Sequence, residues 1–163
     1  MQAAWREAGR DPASLAATAA IAGCVLQDGE PYDSPRARAQ AGPTATVVLH
    51  NLVEREMFGD MGRPLPPELA PLLERYRAIY QRYEPGGARY LENHRGHLMF
   101  LRPEEQEICT GELIRATTFT GPRARLREQI HELARAGYGH LGITIRYGHP
   151  EMLEEWADLL AGV

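Results

Sequence analysis

Hydrophobic and polar positions between Thr117 and Arg146 alternate as a strand, a helix and a strand, and the rest of the chain reads outward from that unit. Thr117, Thr118 and Phe119 are β-formers and predict a short strand. Thr120 stands where a helix cap is expected, and Pro122 suits a first turn, where a missing N–H leaves no bond unmade. Leu126, Ile130, Leu133 and Ala134 share one helical face, with Arg125, Arg127, Glu128 and Arg135 turned away. Gly137 fits a left-handed cap, and His140 to Ile145 reads as a mostly apolar second strand. Two strands joined through a helix by tight loops predict a right-handed crossover with parallel strands. The fold class is α/β.

Upstream, Met1 to Ala8 has helical spacing and is stopped by Gly9 and Asp11-Pro12. A chain opening inside an amphipathic helix suggests a piece of something longer, although a natural start at Met1 gives the same appearance. Ala16 to Leu26 carries no charge, which suits a strand buried on both faces of a parallel sheet, although its alanines suit a helix as well. Gly23 within that run marks tight packing or a close approach by a ligand or neighbouring backbone. Ser34-Pro35 starts a helix, which Gly42-Pro43 interrupts or kinks. A second helix is predicted from Thr44 to Phe58, ended by Gly59 and Gly62. A third runs from Pro66 to Tyr83, with Leu69, Leu72, Leu73, Tyr76, Ile79, Tyr80 and Tyr83 as its apolar stripe. Leu98 to Leu101 reads as a short buried strand or helix. Glu112 to Ala116 is a short helix, and Glu151 to Leu160 closes the chain as an amphipathic one.

Composition narrows the function classes. With 163 residues the chain fits one domain, and 44% apolar with 25% charged residues is ordinary for a soluble globular protein. A net charge of −4 argues against a nucleic-acid partner, which calls for a basic face. The 18 basic residues are all arginine, so a Schiff-base or P-loop lysine is excluded. Two cysteines, Cys24 and Cys109, make neither a disulfide framework nor a zinc pattern, and a reducing cytoplasmic location is the natural expectation. No apolar run approaches a membrane span.

The segment Ala88 to His97 is the densest in polar, aromatic and histidine residues. His94 and His97, three apart, suggest a metal pair, but an obvious third ligand is lacking and no metal is expected. The same pair suits a pocket where histidine hydrogen-bonds or protonates a substrate, and it suits a capped turn with one buried, satisfied histidine. No GxSxG elbow, dinucleotide glycine fingerprint or paired-carboxylate motif is present.

Three stretches carry a family resemblance: Tyr90 to His97, Glu112 to Gly121, and Leu133 to Tyr138. They resemble the C-terminal half of the bacterial luciferase-like family of flavin- or deazaflavin-dependent monooxygenases and reductases, including methylenetetrahydromethanopterin reductase-like proteins. Ala8 to Pro12 also resembles that family's mid-barrel helix-to-strand turn, and the likeness is weakest from Pro31 to Pro67. The resemblance implies a partial (β/α)8 TIM-type barrel, with strands six to eight at Thr18 to Leu26, Thr117 to Phe119 and His140 to Ile145. Residues 1–163 would be a single incomplete barrel domain with a helical insertion at about 33–105. The implied activity is oxidation or reduction of a small organic substrate with FMN or a deazaflavin coenzyme, most of whose site would lie on the five missing strands. His97 and His94 are the implied catalytic residues, and Arg95 the implied substrate contact. The rival is non-catalytic: a truncated barrel, or a luciferase-like relative that only packs against a partner. Open sheet edges predict that the chain alone forms a homodimer, aggregates or requires its missing half.

Overall fold

The uncharged run at 17–26 folds as two short strands, β1 (Thr18–Ile21) and β2 (Val25–Leu26), separated by Ala22 to Cys24. The computed structural model describes residues 1–55 and 65–163. In chain order its helices are α1 (Gln2–Glu7), α2 (Pro35–Val53), α3 (Ala70–Tyr80), α4 (Arg89–Asn93), α5 (Gly111–Thr117), α6 (Arg123–Arg135) and α7 (Glu151–Leu160). The other strands are β3 (Gly121–Pro122) and β4 (His140–Ile143). None of the described helices is long and apolar enough to cross a membrane.

β1 runs parallel to β4, Thr18 opposite His140 and Ile21 opposite Ile143; β2 runs parallel to β3, Val25 opposite Gly121. The carbonyls of Ala17 and Ile21 accept from Gly139 and Thr144, whereas those of Ala22 and Cys24 accept from Phe119 and Gly121. Alternate carbonyls of an extended chain point to opposite edges, so β3 and β4 flank the 17–26 stretch. The strand–helix–strand unit read from the sequence is therefore present, α6 joining β3 to β4, with the earlier stretch between them. A barrel in sequential order would instead put the strand near 117–119 between the other two.

Several local expectations change for identifiable reasons. Thr117 lies in α5 rather than in a strand. The hydroxyls of Thr117 and Thr118 donate to the carbonyls of Leu113 and Ile114, at 2.7 Å each, and extend the helical turn. Thr120 is not the cap of α6: its buried Oγ1 accepts from the Cys24 N–H at 3.1 Å and ties the two strands together. β1 and β4 alternate between exposed and half-buried positions, so the run is not covered on both faces. Pro43 does not interrupt α2, which continues from its Ser34 cap to Val53. The predicted end of that helix, from Met57 to Gly62, lies outside the described residues. Leu98, Met99 and Phe100 are exposed rather than buried, because left-handed backbone at Gly96 and Leu98 turns the chain away from the core.

Two cores meet at β2. Cys24 and Leu26 face a helical cluster containing Ala41, Ala45, Leu49, Leu72, Tyr76, Leu113 and Ile114. Val25, on the opposite face by the two-residue period of a strand, joins Leu126, Ile130, Met152, Trp156 and Leu159. Arg36 clamps the junction, donating to Glu30, to Glu155 at 2.6 Å and to the Val25 carbonyl at 2.8 Å.

This clamp predicts an acid-sensitive component of stability. Burial alone would raise the Glu30 carboxyl, but hydrogen bonds from Arg36, Ser34 and the Gln27 backbone outweigh it and hold the group at about 2, below its ordinary 4.5. A carboxylate with a depressed folded-state pKa stabilises fully above the ordinary value and loses that contribution as pH falls toward the folded one. Between pH 5 and about pH 2 the wild type should therefore lose more urea resistance than Glu30→Gln. Equal losses in the two proteins would place the acid sensitivity elsewhere.

Candidate functional site

The titratable side chains converge in the helical half. α2 carries His50 in its last turn and ends at the C-cap Glu54, one turn on, both on the side that packs against α3 and the 102–105 turn. His50 is 2% exposed, and its Nε2 lies 2.6 Å from Glu105 Oε1. The Tyr76 ring stacks on His50, with centroids 5.5 Å apart. Glu105 also accepts from the Arg102 guanidinium at 2.6 Å and from the Arg102 backbone N–H at 2.9 Å.

A second arm starts from the same arginine. Arg102 donates to the Tyr76 hydroxyl at 2.7 Å, which donates to Asn93 Oδ1 at 2.8 Å. Asn93 Nδ2 donates to Glu54 Oε1 at 2.9 Å, and Glu54 Oε2 faces His94 Nε2 at 2.8 Å. His94 Nδ1 then meets His97 Nδ1 at 2.9 Å. The turn that folds His97 back onto His94 depends on Gly96, whose φ is +75° and whose absent Cβ would meet the Phe100 ring at 2.5 Å.

Electrostatics follows from this wiring. Burial would raise the Glu105 carboxyl, but His50 and the two Arg102 donors hold it at about 2, so it stays ionised. Burial lowers His50 despite Glu105, and lowers His97 with help from the neighbouring His94 and His50, so those two rings favour the neutral form. Burial pushes the thiols of Cys24 and Cys109 up to about 12, which leaves neither as a thiolate nucleophile.

The structure thus brings His94 and His97 together, as their spacing suggested. Arg95 does not join them: its side chain is 62% exposed and pairs with Glu92 at 2.7 Å. Sequence reasoning missed His50, Glu54, Tyr76, Asn93, Arg102 and Glu105. Its one usable signal was the His50–Glu54 spacing of four, which puts two titratable groups on one face of a helix.

A separate groove of about 1140 Å³ runs along β1 and the end of α5 with Thr118 and Phe119 to Tyr138 and Thr144, with Leu98 on its border. Comparison with protein-family models, curated proteins and solved structures finds no match.

Proposed function

We propose that this chain is the C-terminal part of a flavin- or deazaflavin-dependent oxidoreductase or monooxygenase acting on a small organic substrate, folded as strands six to eight of a (β/α)8 barrel. The observation that carries the reading is the half-covered sheet. Thr18, Ala20, His140 and Gly142 are exposed, and β1 borders the broad groove. A wall of small residues open on one face is what a barrel lacking its opposite strands would present. On this reading β4 takes the edge of 17–26 that the preceding strand would use in the complete protein. Filling that edge would release β4 to pair beside β3. Leu98 lines the groove and directly follows His97 in sequence, so on this reading the His94–His97 turn meets the substrate from the border of the groove, with Arg95 exposed beside it.

The reading predicts that the chain alone binds flavin poorly, because the cofactor would meet water where the missing strands belong. Titration with flavin mononucleotide, followed by its fluorescence, tests this. Saturable 1:1 binding in the micromolar range would sink the incomplete-site reading. Expression together with the upstream coding sequence should yield a protein that takes up flavin or a deazaflavin. A complete protein that binds neither would remove the oxidoreductase reading and leave a packing role.

A further inference from the structure

The histidine cluster has a feature that substrate contact does not require: it is wired like a metal centre. One ring nitrogen from each of His50, His94 and His97 lies within 4.8 Å of the other two. The three come from separate local contexts, the last turn of α2, the end of α4 and the turn beyond it. Helical spacing alone does not bring them together. We propose that His50, His94 and His97 bind one divalent transition metal of the zinc class, with a fourth position open to solvent.

Three observations carry the proposal. Metal-ligating imidazoles as a rule donate their second nitrogen to a carboxylate, which fixes the ring and raises its basicity. Here two of three do so: His50 Nε2 faces Glu105 and His94 Nε2 faces Glu54. Each carboxylate is itself held, Glu105 by Arg102 and Glu54 by Asn93.

His50 Nδ1, the nitrogen left over, is buried without a hydrogen-bond partner. Leaving such an atom unsatisfied is costly, and a metal would satisfy it. A hydrogen bond between His94 and His97 accounts for their 2.9 Å contact but leaves this nitrogen stranded.

The size also fits. Zinc–nitrogen bonds of about 2.0–2.1 Å in a tetrahedron put ligand nitrogens about 3.3 Å apart. The observed spread, from 2.9 Å to within 4.8 Å, brackets that value, so small ring rotations suffice.

The chemistry of the donors selects the metal. Three imidazole nitrogens suit zinc, copper, nickel or iron and disfavour magnesium or calcium. The His94 side chain is 34% exposed and His97 is half-buried, so water reaches the cluster and can fill the fourth position. Such a site polarises a bound water or substrate oxygen. The histidines would then act on the substrate through the metal. The site itself does not depend on the flavin reading, and its test reads metal alone.

The full chain, stripped with a chelator, is titrated with Zn²⁺ by calorimetry and with Co²⁺ by visible absorption. The expected result is one metal per chain with Kd of about 1 μM or lower, and the intense cobalt bands of a four-coordinate site. His97→Gln, which leaves the Arg102–Glu105 contacts untouched, should weaken binding about 100-fold or more, and Glu54→Gln about 10-fold or more. His140→Ala, at an exposed position in β4, should change nothing and serves as the control. Circular dichroism checks that each variant is folded. Absence of saturable binding, wild-type affinity in both cluster variants, or the pale spectrum of octahedral cobalt would overturn the site.

Discussion

Arg102→Ala should lower stability by about 3–5 kcal/mol, the range for breaking a buried ion pair by removing one partner. The guanidinium is 1% exposed and donates to Glu105, to the Tyr76 hydroxyl and to the Glu92 carbonyl. Removing it strands an ionised carboxylate in the core and takes away the donor that orders Tyr76, Asn93 and Glu54 in turn. Water cannot easily replace it, because Tyr76, Asn93 and Glu105 are themselves buried. Urea unfolding followed by far-ultraviolet circular dichroism measures the effect. A loss below about 1 kcal/mol, the level of an exposed pair, would mean that the network relaxes and that Arg102 is not its hub. Arg95→Ala should show only that smaller loss, since its pair with Glu92 lies at the surface.

The second large effect is expected at Gly23. A Cβ built there would lie 2.0 Å from the Phe119 carbonyl oxygen and 2.9 Å from the Thr120 nitrogen, both backbone atoms. A flexible side chain could swing aside, but here the two backbones would have to part. Overpacking ordinarily costs about 1–3 kcal/mol, and Gly23→Ala belongs at the upper end or beyond. Separation would also break the bonds that Phe119 and Gly121 donate to Ala22 and Cys24, and would shift Phe119 against Trp156. Tryptophan fluorescence and the urea midpoint should therefore move together. Gly139→Ala, where a Cβ meets nothing within 4 Å, should stay within about 0.5 kcal/mol. If the two alanine variants match in stability, the close approach at Gly23 is not a constraint.

What could be read from the sequence was the structure whose cause is local. The face of Leu126 and Ile130, the left-handed Gly137 and the Ser34-Pro35 start are set by neighbours within a turn or two, and the structure has all three. Local signals misled where a side chain had two uses. Thr117 and Thr118 have strand propensity, yet their hydroxyls reach back to helix carbonyls. Pro43 should break a helix, yet α2 runs through it with Pro43 buried in the core. The site was legible only as a fragment, the His94–His97 pair. His50 reaches that pair through helix packing, and Arg102 and Glu105 reach it through a turn, and neither contact has a period to detect. His50 stands far upstream of the pair in sequence, yet one of its ring nitrogens lies within 4.8 Å of theirs.

The pairing of the 17–26 stretch has a consequence for how the chain is made. Cys24 meets Thr120 across 96 positions of sequence, and β1 waits longer still for β4. At elongation rates of about 5–20 residues per second, roughly 5–20 s pass before the first of these partners exists. Throughout that interval an uncharged strand with two unpaired edges is held on the ribosome, while the segment that follows it can already coil and pack. The most aggregation-prone moment in the life of this protein therefore falls during its synthesis, and it ends only when residues beyond Phe119 emerge.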